Sequence, residues 1–140
     1  MDLLFLKDIV DYGVIGLLIV LSIISLSFFI ERLLFYKKVD PKQYKNSKIL
    51  ENALTKHLTT IGSIASNAPY IGLLGTVLAI MITFASIGNA GLDAAKIMSS
   101  IALALKTTAV GLVVAICSMF FYNILVRCTE NILAHQDEEI

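Results

Sequence analysis

The sequence predicts an all-α membrane protein with three transmembrane helices, on three observations. Hydrophobic residues make up 57% of the 140 and charged residues only 16%, where a soluble domain carries about 25% charged residues. Mean hydropathy is +0.82. Three apolar runs, roughly 12–30, 65–87 and 97–126, reach the length of about 20 residues that crosses a bilayer core of roughly 30 Å. Formal net charge is zero and no basic tract with interleaved aromatics occurs, so no nucleic-acid partner is expected.

The first span, Tyr12–Ile30, is bounded by Asp11 on one side and Glu31-Arg32 on the other. Asp2 and Asp8 stand where a secretory signal would be positive, and no small-residue cleavage site follows. The run is therefore read as a retained helix. The segment 31–64 comes next and holds Arg32, Lys37, Lys38, Lys42, Lys45, Lys48 and Lys56, seven of the chain's 11 Lys and Arg. The positive-inside rule puts it in the cytoplasm. The N-terminus and the connection before Ile97 then face outward and the tail 127–140 faces inward, giving an N-out, C-in topology.

Asp40-Pro41 offers an N-cap followed by proline at the first helical position, a good helix start. Beyond it Leu50, Ala53, Leu54, His57, Leu58 and Ile61 recur at steps of three and four, which predicts an amphipathic helix running on into the second span. Pro69 removes a backbone donor there, so a local kink is expected. Gly88-Asn89-Ala90-Gly91 reads as the turn that closes the hairpin between the second and third spans.

Small and hydroxyl residues form a stripe on each of these two spans. On the second they are Ala65, Ala68, Gly72, Gly75, Thr76, Ala79, Thr83 and Ser86; on the third, Ala104, Thr108, Gly111, Ala115 and Ser118. Small residues let membrane helices approach closely, and Gly72, Gly75, Gly111 and Ala115 are read in that role. The functional reading turns part of the stripe toward a pore, with Thr76, Ala79, Thr83, Ala104 and Thr108 lining it. A hydroxyl there both donates and accepts, so it hydrates a narrow path or binds a carboxylate.

Lys106 is the single formal charge within these apolar runs. At about 100° per residue it points roughly 200° away from Thr108. It is read as snorkelling to the outer interface or as one half of an ion pair between subunits. No run contains a carboxylate, so a titrating group for proton transfer has to come from another chain. Cys117 and Cys128 lie eleven positions apart, a spacing that matches no redox or zinc motif. His57 and His135 are far apart in the sequence and neither belongs to a cluster of possible ligands, so no metal site or cofactor is expected. No nucleophile–base pair or phosphate loop occurs, and an enzyme is not expected.

The two later spans resemble the MotA/TolQ/ExbB proton-channel family. The resemblance rests on Ala68-Pro69-Tyr70-Ile71-Gly72-Leu73-Leu74-Gly75-Thr76-Val77 with Ile80-Met81 and Phe84. Its second block is Ile101-Ala102, Ala104-Leu105, Thr108-Ala109, Gly111-Leu112-Val113 and Ala115-Ile116, followed by Tyr122-Asn123 and Arg127. Two blocks in order at this separation are a specific signal. Three spans with N-out, C-in topology resemble the ExbB and TolQ branch rather than MotA.

The resemblance implies a homo-oligomeric ring of five subunits in the bacterial inner membrane, with the second and third helices around a central pore. It implies a single-span ExbD- or TolR-like partner inside, carrying the aspartate that takes the proton. It further implies that Thr76 and Thr108 face the lumen near that aspartate, and that a TonB-like protein transmits the work to outer-membrane uptake. Leu103 occupies the pore position where many ExbB-like proteins carry glutamate. Cys117 replaces the usual proline, and the cytoplasmic segment is far shorter than in typical ExbB. The alternatives are a TolQ-like role in envelope integrity and a non-conducting membrane scaffold whose stripes serve packing alone.

Overall fold

A computed structural model describes residues 3–90 and 93–138 of the chain. Among the described residues four α-helices and a short 3-10 turn follow one another: α1 (Leu3–Lys38), the turn (Pro41–Gln43), α2 (Ser47–Leu54), α3 (Leu58–Ala90) and α4 (Ala94–Glu138). α1, α3 and α4 are each long and apolar enough to cross a membrane. At 1.5 Å per residue the 45 residues of α4 extend for about 68 Å, more than twice a bilayer core. The bundle therefore continues well past one membrane face.

The bundle is apolar on the outside, as lipid demands. Ile23, Tyr70, Met81, Val113 and Phe120 are all more than half exposed, where a soluble monomer would not tolerate so continuous an apolar surface. Inside, Leu18 of α1 packs on Ile64 and Ala68 of α3 and on Val114 and Ala115 of α4. A second cluster joins Leu58, Ile61 and Leu125, with Phe28, Phe29 and Tyr122 around it. Phe29 stacks on Phe121 with ring centroids 4.4 Å apart. Ser25 and Ser118, both buried, share a hydrogen bond of 2.8 Å between α1 and α4. Each hydroxyl thereby satisfies the other in a region without water.

The Lys-rich segment departs from the expected continuous helix. Asp40 accepts from the Lys42 N–H but caps only the 3-10 turn. α2 begins later, where the Asn46 side chain accepts from the Ile49 N–H at 2.8 Å. It ends at Leu54, and His57 then adopts φ 72°, the left-handed region that few non-glycine residues enter. The periodic apolar residues are there, since Leu50, Leu54, Leu58 and Ile61 are buried, but this reversal divides them between two helices. The His57 ring lies flat on Phe28, centroids 4.1 Å apart. Pro69 sits inside α3 without ending it. Gly88–Ala90 are helical rather than part of a turn, and Gly91 lies outside the described residues.

Two side chains of α1 hold the C-terminal end of α2. Arg32, 3% exposed, donates from Nη1 to Ala53 O at 2.8 Å and forks onto Glu31 through Nε and Nη2. Tyr36 donates to Leu54 O at 2.6 Å, and its oxygen lies 3.2 Å from Thr129 Oγ1. These carbonyls are among the four that a helix end leaves without internal partners. Arg32→Met is expected to loosen α2 by about 1.5–3 kcal/mol, the worth of a hydrogen bond to a charged group. Hydrogen exchange should then speed up in 47–54 while α3 and α4 keep wild-type protection; unchanged exchange in α2 would count against this anchoring.

Candidate functional site

Glycine brings α3 and α4 together. A methyl added at Gly72 would lie 2.8 Å from Thr107 O and 3.3 Å from the Gly111 Cα, and one added at Gly111 would lie 2.7 Å from Ala68 O. At these two positions the backbones leave no room for a Cβ. That closeness lets side chains of one helix reach carbonyls of the other.

Thr76 uses it. Its Oγ1 donates to Ala104 O across the seam at 2.7 Å, a shorter bond than the 3.2 Å to Gly72 O in its own helix. A hydroxyl has one proton, so Thr76 then acts as acceptor toward the neighbouring Thr108 Oγ1, with which it is in hydrogen-bond contact. Thr108 is 3.4 Å from Gly72 O and, unlike the buried Thr76, remains partly exposed. In this arrangement Thr108 Oγ1 donates inward and keeps lone pairs for an acceptor role at the open side. The pair can receive a hydrogen bond from water or from a protonated acid.

The rest of the stripes are distributed differently from the sequence-based expectation. Ala79, Thr83 and Ala104 are fully buried within one protomer. In the single protomer none of the three side chains reaches the surface. Thr83 Oγ1 is satisfied by Ala79 O in its own helix at 2.9 Å. Gly75 faces the junction with α1, where an added methyl would lie 2.8 Å from Thr107 Cγ2 and 3.0 Å from Val14 Cγ1. Ala115 is buried against α1 and α3. Leu103 is half-buried, and Lys106 is exposed with no ion pair among the described residues.

A charged pair near the start of α1 was not foreseen. Lys7 Nζ donates to Asp11 Oδ2 at 2.6 Å, with the side chains 1% and 0% exposed. Asp11, taken from the sequence as the edge of the first span, lies inside a continuous helix and inside the bundle. The apolar run 12–30 holds no carboxylate, and α1 brings Asp11, one residue before it, into the bundle. The four-residue spacing of Lys7 and Asp11 was the available signal, because it places opposite charges on one helical face.

The match with known proteins covers nearly all of this architecture. The profile of the MotA/TolQ/ExbB proton channel family matches residues 14–138. The chain belongs to this family. It is 50% identical over 133 residues to an ExbB-like biopolymer transport protein of Helicobacter pylori, covering 94% of this chain and 89% of that one. The biopolymer transport protein ExbB of Aquifex aeolicus is 48% identical over 123 residues, 87% of this chain and 83% of its own. ExbB of Helicobacter pylori strain J99 is 52% identical over 123 residues, 87% and 85% of the two chains. The family match includes both glycine contacts, the threonine pair and all of α3 and α4 described above. At such identity the chain is similar to biopolymer transport proteins of ExbB type.

Proposed function

We propose that copies of this chain form a ring in the bacterial inner membrane, N-terminus outward, which uses the proton-motive force to energise TonB-dependent uptake across the outer membrane. The ring holds five subunits, as its resemblance to the ExbB branch implies, and encloses a single-span ExbD-like partner that carries an aspartate. A TonB-like protein passes the work outward. The chain itself contributes binding and orientation, and the partner's aspartate contributes the titrating group.

The observation that carries this reading is the threonine pair at the α3–α4 crease. Thr76 is committed to Ala104 O and Thr108, partly exposed, keeps free lone pairs. A protonated aspartic acid on a facing helix has one O–H to donate, and Thr108 Oγ1 is a matched acceptor. On losing its proton the carboxylate becomes acceptor-only, and the contact then requires rotation of the Thr108 hydroxyl. The interaction therefore differs between the two protonation states, which is what a proton-driven movement needs. The Lys-rich segment 31–64 supports the orientation through the positive-inside rule. ExbB-type names among close relatives favour the TonB-linked role over the Tol-linked one.

Thr108→Val keeps the shape of the side chain and removes the hydroxyl. It is expected to abolish energised uptake while the ring, weighed intact by native mass spectrometry with its one-span companion, stays assembled. Thr108→Ser should restore activity. Wild-type uptake by Thr108→Val would leave the chain as a non-conducting scaffold.

A further inference from the structure

The buried pair Lys7–Asp11 does no work in that reading, and its bonding is incomplete. Asp11 gives Oδ2 to Lys7, but Asp11 Oδ1 is buried with no partner, and so is Thr107 Oγ1 of α4. A buried polar atom left unpaired is costly, and more so when charged. Two such atoms in one region of a folded bundle call for a ligand that pairs both.

The two atoms lie on neighbouring helices. Val14 of α1 and Thr107 of α4 both touch the Cβ position of Gly75, and Asp11 lies one turn of α1 before Val14. Toward the end of the bundle that carries the N-terminus, the same face of α4 runs Thr107, Ala104, Ser100 at steps of three and four. Ala104 is fully buried and small, which leaves little side chain between the two hydroxyl positions. Ser100 lines a surface cavity of about 360 Å³, together with Leu4 and Asp8 of α1 and Asp93, Lys96 and Ser99. In α1, Leu4 lies one turn before Lys7 and Asp8 directly follows it. An open polar cavity, a buried ion pair, an orphan hydroxyl and the Thr76–Thr108 pair thus follow one another along the bundle.

We infer that water binds between Asp11 Oδ1 and Thr107 Oγ1, and that this hydrated site opens to the cavity at Ser100, giving protons an inlet through the protomer to the threonine pair. Water fits the donor set, since it can donate to the carboxylate oxygen and to the threonine while accepting from that hydroxyl. A metal cation does not fit, because Lys7 already neutralises Asp11. The charged groups around the site are few. α3 has no Asp, Glu, Lys, Arg or His from Leu58 to Ala90, the nearby Lys106 of α4 is exposed, and Asp8 is exposed. Among the described residues Asp11 is the only buried carboxylate. An excess proton enters on water from the cavity and leaves on water toward Thr108, so Asp11 and Lys7 end each passage in the states in which they began. The direction of flow rests on the proposed function; the hydration of the site does not.

The test uses the full chain in sealed membranes, with Cys117→Ala and Cys128→Ala removing the native thiols. Single cysteines are introduced as Thr107→Cys, Ser100→Cys or Leu18→Cys, and Ag⁺ is added from either side before the remaining thiols are counted after unfolding. Thr107→Cys and Ser100→Cys should react from the same side, each at least about tenfold faster than Leu18→Cys, whose reaction has to wait for local opening of the dry core. Protection of Thr107→Cys equal to that of Leu18→Cys, or reaction from the side opposite to Ser100→Cys, overturns the inlet. Should Thr107→Cys fail to fold, a density map of the wild-type chain fine enough to show ordered water decides: a peak within hydrogen-bond distance of both Asp11 Oδ1 and Thr107 Oγ1 supports the site, and its absence overturns it. None of these readings depends on a partner or on uptake, so the motor function can fail while the inlet stands, and the reverse.

Discussion

Gly111→Val is expected to prevent the α3–α4 hairpin from packing, giving little folded protein and a large fall in Tm for whatever remains. The first atom of any side chain at this position would lie 2.7 Å from Ala68 O and 3.2 Å from the Gly72 Cα. Both obstacles are backbone, so no rotamer change relieves them. Overpacking a core costs about 1–3 kcal/mol when side chains can shift, and here the helices themselves must separate. Their separation would also pull Thr76 away from Ala104 O, so surviving protein should lose activity as well as stability. Gly13→Ala and Gly16→Ala are the matched controls, since nothing lies within 4 Å of a methyl at either position. Alanine at these helical sites should stabilise by up to about 1 kcal/mol. Thermal unfolding and size-exclusion profiles in one detergent read all three variants. A Gly111→Val protein that melts with the wild type would mean that the seam is looser than these distances state.

Asp11→Leu should destabilise the chain by about 3–5 kcal/mol, because it leaves the Lys7 ammonium buried without its counter-charge. The double variant Lys7→Met/Asp11→Leu should recover most of that loss, since apolar side chains of similar volume replace a buried ion pair at little cost. The expected result is therefore strong non-additivity in a double-mutant cycle. Equal and additive losses would show that the two side chains act separately. The double variant also isolates function from folding, because it restores packing while removing the carboxylate.

The long helices were legible because apolar runs of bilayer length are hard to build any other way. Gly72 and Gly111 stood out as members of two small-residue stripes, and the structure brings them against each other. What the sequence concealed has specific causes. A reading that ends a span at its first charge stops at Asp11, although Lys7 one turn away neutralises it and lets both enter the bundle. Stripes read for one partner helix miss Thr107, which lies about 100° round α4 from Thr108 and faces α1. Ala79, Thr83 and Ala104, read as members of those stripes, are fully buried within one protomer. The reversal at His57 left no mark, because the apolar period continues on both sides of it.

The absence of Asp, Glu, Lys, Arg and His along Leu58–Ala90 has an electrical consequence. A membrane voltage does work only on charge that moves through it, about 2.3 kcal/mol per elementary charge per 100 mV. α3 offers the voltage nothing to pull on, and Lys7 with Asp11 moves as a neutral unit. Within the apolar runs of this chain Lys106 is the single fixed monopole, so any voltage sensitivity of the assembly has to act through Lys106, through protons crossing the protomer, or through charge carried by another chain.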